Sequence, residues 1–375
     1  MKSIQCKSAV LLIISVVVTS VMIFSFGCAK KEEKEIKIGS ISPLTGAAAS
    51  YGEKMTRAID LAVQEVNEKG GINGKRVVVI HVDDKLEAKD GVTVFKKLTS
   101  VDKVSAVLGA VGSSVTLAIS PLAENSKIPL ITPISSAVSI SKAGDFIFRI
   151  CPSDALQGVI ISKWIKEKGF NNVAILYINN DYGTGLKDKF KEEFTKLGGK
   201  VVLEEAFEKE SKDMRTQLSK IKTAKVDAIF LPSYMEEAGT ALKQIRELKV
   251  KAQVFGTDPY HDPKMLEIAG NAADGVLFTD VASPSGTVFE DFAKKYKAKY
   301  NQDAEVIAAQ SYDAAVALLK AIEKAGTDPV NIKDELYKVK FSGASGEIEF
   351  DQNGDVNTKD FNKFTVKNKA YVKVE

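Results

Sequence analysis

Gly109–Pro121, GAVGSSVTLAISP, ends a run of small residues in two hydroxyls, Ser113 and Ser114, and continues in a helix-like pattern. A strand end that feeds a helix start leaves backbone N–H groups unpaired. Together with the positive end of the helix dipole they favour a bound anion. The pattern does not suit a nucleotide: no lysine follows as in a P-loop, and the glycines lack dinucleotide spacing. Other reactive residue types are scarce. The histidines are His81, in an apolar strand-like run and read as structural, and His261. Cys151 lies alone beyond the N-terminal segment and reads as a small buried hydrophobe. No His, Cys and carboxylate cluster has metal-ligand spacing, so no metal or cofactor is expected. Neither histidine stands in a nucleophile-elbow context, which makes an enzyme the least favoured class.

Further polar and aromatic motifs recur at similar places. They are SPLTGAAASYG (42–52), GSSVT (112–116), TPISS (132–136), NNDYGTG (179–185), PSYMEE (232–237) and GTDPY (256–260). Taken singly, each reads as a turn or a helix cap. Each also follows an apolar run, and in open α/β sheets ligands bind at the carboxyl ends of strands. Six such motifs on corresponding edges imply one shared cleft.

Alternating elements must carry these motifs. Strand-like runs fall at 35–41, 76–84, 104–109, 128–132, 173–178, 227–231 and 253–256. Helical patterns lie between them: Met55, Ile59, Ala62, Val63 and Val66 share one face, as do Leu186, Phe190, Phe194 and Leu197. Trp164 falls on a helical face and reads as core. This rhythm predicts parallel sheets wrapped by helices, in two α/β lobes without a clear sequence repeat. Two long helical patterns, 285–299 and 305–325, follow. GEIEFDQNGD and FNKFTVKNKAYVKVE then read as antiparallel strands, with turns at Asn353-Gly354 and Asn368-Lys369. The simplest path returns the chain to the first lobe and lets the last strands join the second.

The chain has 375 residues, 45% hydrophobic and 27% charged, enough for two or more real cores. Its net charge of +3 is spread, with no basic stripe of the kind nucleic acid requires. Lys2 and Lys7 precede the uncharged run AVLLIISVVVTSVMIFSFG. That layout predicts an export signal over residues 1–27, with Cys28 as the lipidation site and a charged tether over 28–35.

The motifs above resemble those of bacterial extracellular solute-binding proteins of ABC importers, the leucine/isoleucine/valine-binding family. The resemblance spans about residues 36–375 and also rests on RICPSDALQG, VAILYINNDYGTGL and AAQSYDAAVALLKAI. It implies the type 1 periplasmic binding fold: two Rossmann-like doubly wound lobes, joined by a three-crossing hinge, with ligand between them. The lobes would comprise 36–150 with 280–360, and 151–279 with 361–375. The crossings would lie near Arg149–Pro152, Thr279–Val281 and Phe361–Lys363. By the same resemblance, Ser113 and Ser136 hold an α-carboxylate, and the Ile134 carbonyl and Asp258 hold an α-ammonium. Tyr51, Tyr182 and Tyr234 line the pocket. The implied partners are a free amino acid, a membrane permease complex and, through Cys28, a membrane. The protein would act as a monomer that closes on its ligand, with a sensory receptor role, or an amide or organic acid as ligand, as the alternatives.

Overall fold

The apolar runs form two largely parallel sheets in a computed structural model that describes residues 35–356 and 360–374. The export signal, tether and Cys28 expected from the sequence lie outside the described residues, apart from Glu35. The first sheet contains β1 (Glu35–Ser42), β2 (Arg76–Asp83), β3 (Val107–Leu108), β4 (Leu130–Thr132) and β5 (Ile147–Arg149). All are parallel, in the spatial order 2-1-3-4-5. Helices α1 (Ala49–Glu68), α2 (Ala88–Lys97) and α3 (Ser113–Ser126) follow its first three strands.

After β5 the chain enters α4 (Asp154–Glu167) and repeats the plan: β6 (Asn172–Ile178), α5 (Asp181–Lys196), β7 (Lys200–Phe207), α6 (Arg215–Ala224), β8 (Ala228–Phe230), α7 (Met235–Glu247), β9 (Gln253–Gly256), α8 (Pro263–Ala269) and β10 (Leu277–Val281). The five strands again run parallel, in the order 7-6-8-9-10. The two halves therefore share one winding, with switch points between β1 and β3 and between β6 and β8. In such sheets the crevice opens at the switch point.

The next three helices, α9 (Thr287–Tyr300), α10 (Val306–Ala325) and α11 (Pro329–Leu336), return to the first lobe. Ala314, Leu318 and Ile322 of α10 share one core with Ile38, Ile59 and Leu108. A hairpin, β11 (Lys340–Gly343) and β12 (Gly346–Glu349), follows; β13 (Phe361–Lys367) and β14 (Ala370–Val374) then extend the second sheet, antiparallel to β10. Trp164 is buried in α4, edge-on to Phe255.

Three local expectations change. The strand at 346–349 pairs backward with β11 across Ala344-Ser345, and the expected turn at Asn353-Gly354 forms but closes only a single antiparallel bridge, Phe350 with Val356. The Asp313 carboxylate accepts from both Ala344 and Ser345 N–H groups, at 2.8 and 2.6 Å, and this long-range contact fixes the turn. Periodicity alone does not mark β7, because Glu204 and Glu205 interrupt its apolar run. They face Lys191 and Lys220 on neighbouring helices, as charges on an edge strand often do. The crossings also shift slightly, since β10 runs to Val281 and β13 begins at Phe361. By contrast, Asn368 and Lys369 both take the positive φ that a tight hairpin turn demands.

The first and third crossings are tied together by Arg149, which is fully buried. Its Nε and Nη2 donate to the two Asp355 carboxylate oxygens, each at 2.8 Å. Nη1 donates to the carbonyls of Ser136 and Ala137 at 2.9 Å, and Nη2 also to the Ser141 hydroxyl. All five guanidinium N–H donors are thus used. The loop that carries Ser136 is held by the hinge itself.

Candidate functional site

The expected site residues come from equivalent places in the two halves. Tyr51 and Tyr182 sit in the first turns of α1 and α5, after β1 and β6. Each is followed by a glycine that lets the helix start close over its strand: a Cβ on Gly52 would lie 2.0 Å from the Pro43 carbonyl oxygen, and one on Gly183 2.1 Å from that of Ile178. Ser113 starts α3 after β3, and Tyr234 is the N-cap of α7 after β8. Ser136 follows β4, and Asp258 follows β9. Tyr182 is therefore a helix residue rather than a strand-end one, since the Asn180 side chain caps α5 by accepting from Gly183 N–H.

These residues line a cleft of two connected chambers. The smaller, about 70 Å³, is bounded by Ser113, Tyr182 and Tyr234. The larger, about 280 Å³, runs toward the hinge past Cys151, Asp154, His261 and Asp280. Tyr51, Ile134, Ser136 and Asp258 face both. The cleft therefore brings together all seven expected binding residues.

At the Ser113 corner of the first lobe the groups are neutral, while Lys54, paired with Glu305, and Lys85 line other parts of the same wall. Helix α3 begins at Ser113 with Gly112 as an extended N-cap, so the N–H groups of its first turn point out of the helix end. The Ser113 hydroxyl accepts from Ala137 N–H at 3.2 Å, which leaves its own proton to donate. Behind it, Thr116, Ser135 and the Ala110 carbonyl form a buried network that fixes the corner. This arrangement can hold a monoanion without a fixed cation.

The second-lobe side is acidic. Asp258 accepts from the Gln157 amide at 3.0 Å, and Gln157 also donates to the Thr279 hydroxyl. Burial, then the charge of Asp280, push the Asp258 carboxyl up to about 7, opposed by the Gln157 hydrogen bond. Burial also raises Asp280, which His261 counters through a 2.5 Å contact to Nδ1. Asp154 is raised well above the carboxylate range by burial and then by Asp258. The tyrosines are packed rather than ionised: Tyr182 stacks on Tyr234 at 5.4 Å and bonds Thr257 through its hydroxyl, and burial raises both phenols. Burial likewise raises the Cys151 thiol, which donates to the Ser135 carbonyl at 3.3 Å.

The lobes touch across the cleft mouth. Asp181 N–H donates to the Ser114 hydroxyl at 3.2 Å, and Lys209 pairs with Glu87. Sequence reasoning missed Asp154, Gln157 and the Asp280–His261 pair. Asp154 and Gln157 stand in RICPSDALQG, but a serine followed by an acid reads locally as a helix start. Among the described residues, no group of three His, Cys, Asp or Glu could hold a metal, and no helix is long and apolar enough to cross a membrane.

The chain matches the family model described as periplasmic binding protein over residues 35–370. It is 31% identical to the Leu/Ile/Val-binding protein BraC3 of Rhizobium johnstonii, across 92% of this chain and 95% of that one. Among solved structures it resembles the branched-chain amino acid transporter substrate-binding protein LivJ of Streptococcus pneumoniae in complex with isoleucine, with TM-score 0.81 and 30% identity over 91% of this chain and 99% of that one. It also resembles a solute-binding protein of an ABC transporter from Rhodopseudomonas palustris in complex with 3,4-dihydroxybenzoic acid, with TM-score 0.78 and 27% identity over 91% and 97%. The chain belongs to the periplasmic binding protein family, as a substrate-binding protein of the branched-chain amino acid ABC transporter type.

Proposed function

We propose that the protein binds a free hydrophobic amino acid, with a branched-chain residue as the lead ligand, and hands it to a membrane permease. It does so outside the cytoplasm, as a monomer anchored through a lipid on Cys28. The observation that carries this reading is that the neutral donors around Ser113 in one lobe and the half-buried Asp258 carboxylate of the other face a single cleft. The α-carboxylate sits on Ser113, Ser136 and the N-terminus of α3. The α-ammonium sits on the Ile134 carbonyl and Asp258, and the side chain among Tyr51, Tyr182 and Tyr234. Only closed lobes satisfy both ends of a zwitterion, so ligand favours closure. The test is a thermal-shift screen of refolded, ligand-free protein against amino acids, amides and small acids. Stabilisation by aliphatic L-amino acids alone supports the reading; stabilisation by acids alone removes Asp258 as an ammonium site.

Two further outcomes are expected. Ser113→Ala removes one hydrogen bond to a charged group, which costs about 1.5–3 kcal/mol of binding. Calorimetry that showed a larger loss here than at Asp258 would make the carboxylate end the dominant anchor. Binding also depends on pH. The empty cleft keeps Asp258 protonated below about pH 7, while an ammonium requires its ionised form. The groups that set this value are Asp280 with its partner His261, and the Gln157 amide. Binding below that pH therefore releases a proton from Asp258, so Kd rises by up to about tenfold per pH unit on acidification. Leucine titrations in buffers of different ionisation enthalpy measure the proton directly; a Kd unchanged between about pH 5.5 and pH 8 would contradict the assignment.

A further inference from the structure

Asp154 opens α4 immediately after the first crossing, with 1% of its surface exposed. Neither carboxylate oxygen has a hydrogen-bond partner within normal distance, although the Ser136 hydroxyl lies near enough to lower the carboxyl somewhat. That is unusual, because buried carboxylates are normally paired and an orphaned acceptor carries an uncompensated desolvation cost. Arg149, the buried cation of the hinge, lowers the carboxyl through its charge but gives it no hydrogen bond, since its donors go to Asp355, Ser141, Ser136 and Ala137. Yet Asp154 lines the larger chamber beside Asp258, Ile134 and Ser136. An acid without a close donor borders the volume where the proposed amine sits.

The chemistry of that amine supplies what Asp154 lacks. An ammonium has three N–H donors. The Ile134 carbonyl and Asp258 account for two, and a third acceptor is needed in a site closed to water. We propose that Asp154 is the second carboxylate anchor of the ligand's ammonium, and that the pair Asp154 and Asp258 makes the cleft select primary amines over deaminated acids. This rests on the amino-acid reading of the cleft given above. Burial and the charge of Asp258 push the Asp154 carboxyl up, against the Ser136 hydroxyl and the Arg149 charge, so the empty protein disfavours a surplus negative charge there. Arrival of a cation supports its ionisation.

The test compares Asp154→Asn with the unaltered protein, using L-leucine and isocaproate, its deaminated analogue. Asparagine keeps the shape and the start of α4. The variant is expected to bind leucine about tenfold to a hundredfold more weakly, the range of one hydrogen bond to a charged group. Isocaproate binding should change by less than about twofold, since it makes no such bond. The ligand-free melting temperature should stay level or rise, because a buried ionisable group without partners has been removed. Unchanged leucine affinity in the variant, with the unaltered protein binding leucine, would overturn the role of Asp154 and leave the amino-acid reading standing. Equal losses for both ligands with a lower melting temperature would also overturn it, by making Asp154 structural. An unaltered protein that binds isocaproate but no amine would overturn both.

Discussion

Asp258→Asn is expected to raise the Kd for leucine by at least a few hundredfold, the largest effect of any single side chain in the cleft. The residue is half-buried in the ligand-free protein, faces both chambers, and shares the cleft with the neutral donors of Ser113 and Ser136. An ammonium desolvated in the closed cleft needs a full opposite charge, and removal of one partner of a buried pair costs about 3–5 kcal/mol. Asparagine keeps the size and still accepts from Gln157, so the loss reports charge and not shape. The ligand-free variant should melt no lower than the parent, because Asp258 is itself disfavoured in its ionised form by burial and by Asp280. Titration calorimetry and a melting curve on the same sample separate the two effects. A Kd within about threefold of the parent would place the ammonium elsewhere.

Arg149→Met should produce the largest loss of stability. It deletes both bonds to Asp355 and leaves that carboxylate buried beside the carbonyls of Ser136 and Ala137. The expected cost is about 3–5 kcal/mol, from the orphaned charge and not from lost packing, since the side-chain volumes are close. The double variant Arg149→Met with Asp355→Leu should recover much of it, because an apolar pair of similar volume carries no desolvation penalty. Denaturant unfolding of the ligand-free parent, both single variants and the double variant gives the three differences of this cycle. Loss below about 1 kcal/mol in the single variant would mean that water already reaches the pair. Ligand affinity should also fall, since the guanidinium holds the loop that presents Ser136.

The strands and helices that build both lobes are legible because their signal is local. Apolar runs such as VAILYI and helical faces such as Leu186, Phe190 and Phe194 declare themselves within a dozen residues. The polar motifs at strand ends are legible for the same reason, and the winding of the sheets brings Tyr51, Ser113, Ile134, Ser136, Tyr182, Tyr234 and Asp258 to one cleft. Other features depend on contacts between distant segments. Asp313 turns the chain at Ala344-Ser345 from a helix some thirty residues away. The duplicated strand order places Tyr51 opposite Tyr182 without a matching sequence repeat.

Sequence by itself determined the α/β rhythm, the small-residue corner at Ser113 and the absence of a nucleophile or metal pattern. Tertiary structure decided the electrostatics. A carboxyl group has the same sequence signature whether it caps an exposed helix or faces a closed cavity. Its proton affinity depends on which solvent, charges and donors the fold leaves around it, and only the assembled cleft sets Asp154 and Asp258 beside one chamber with their carboxyls pushed up.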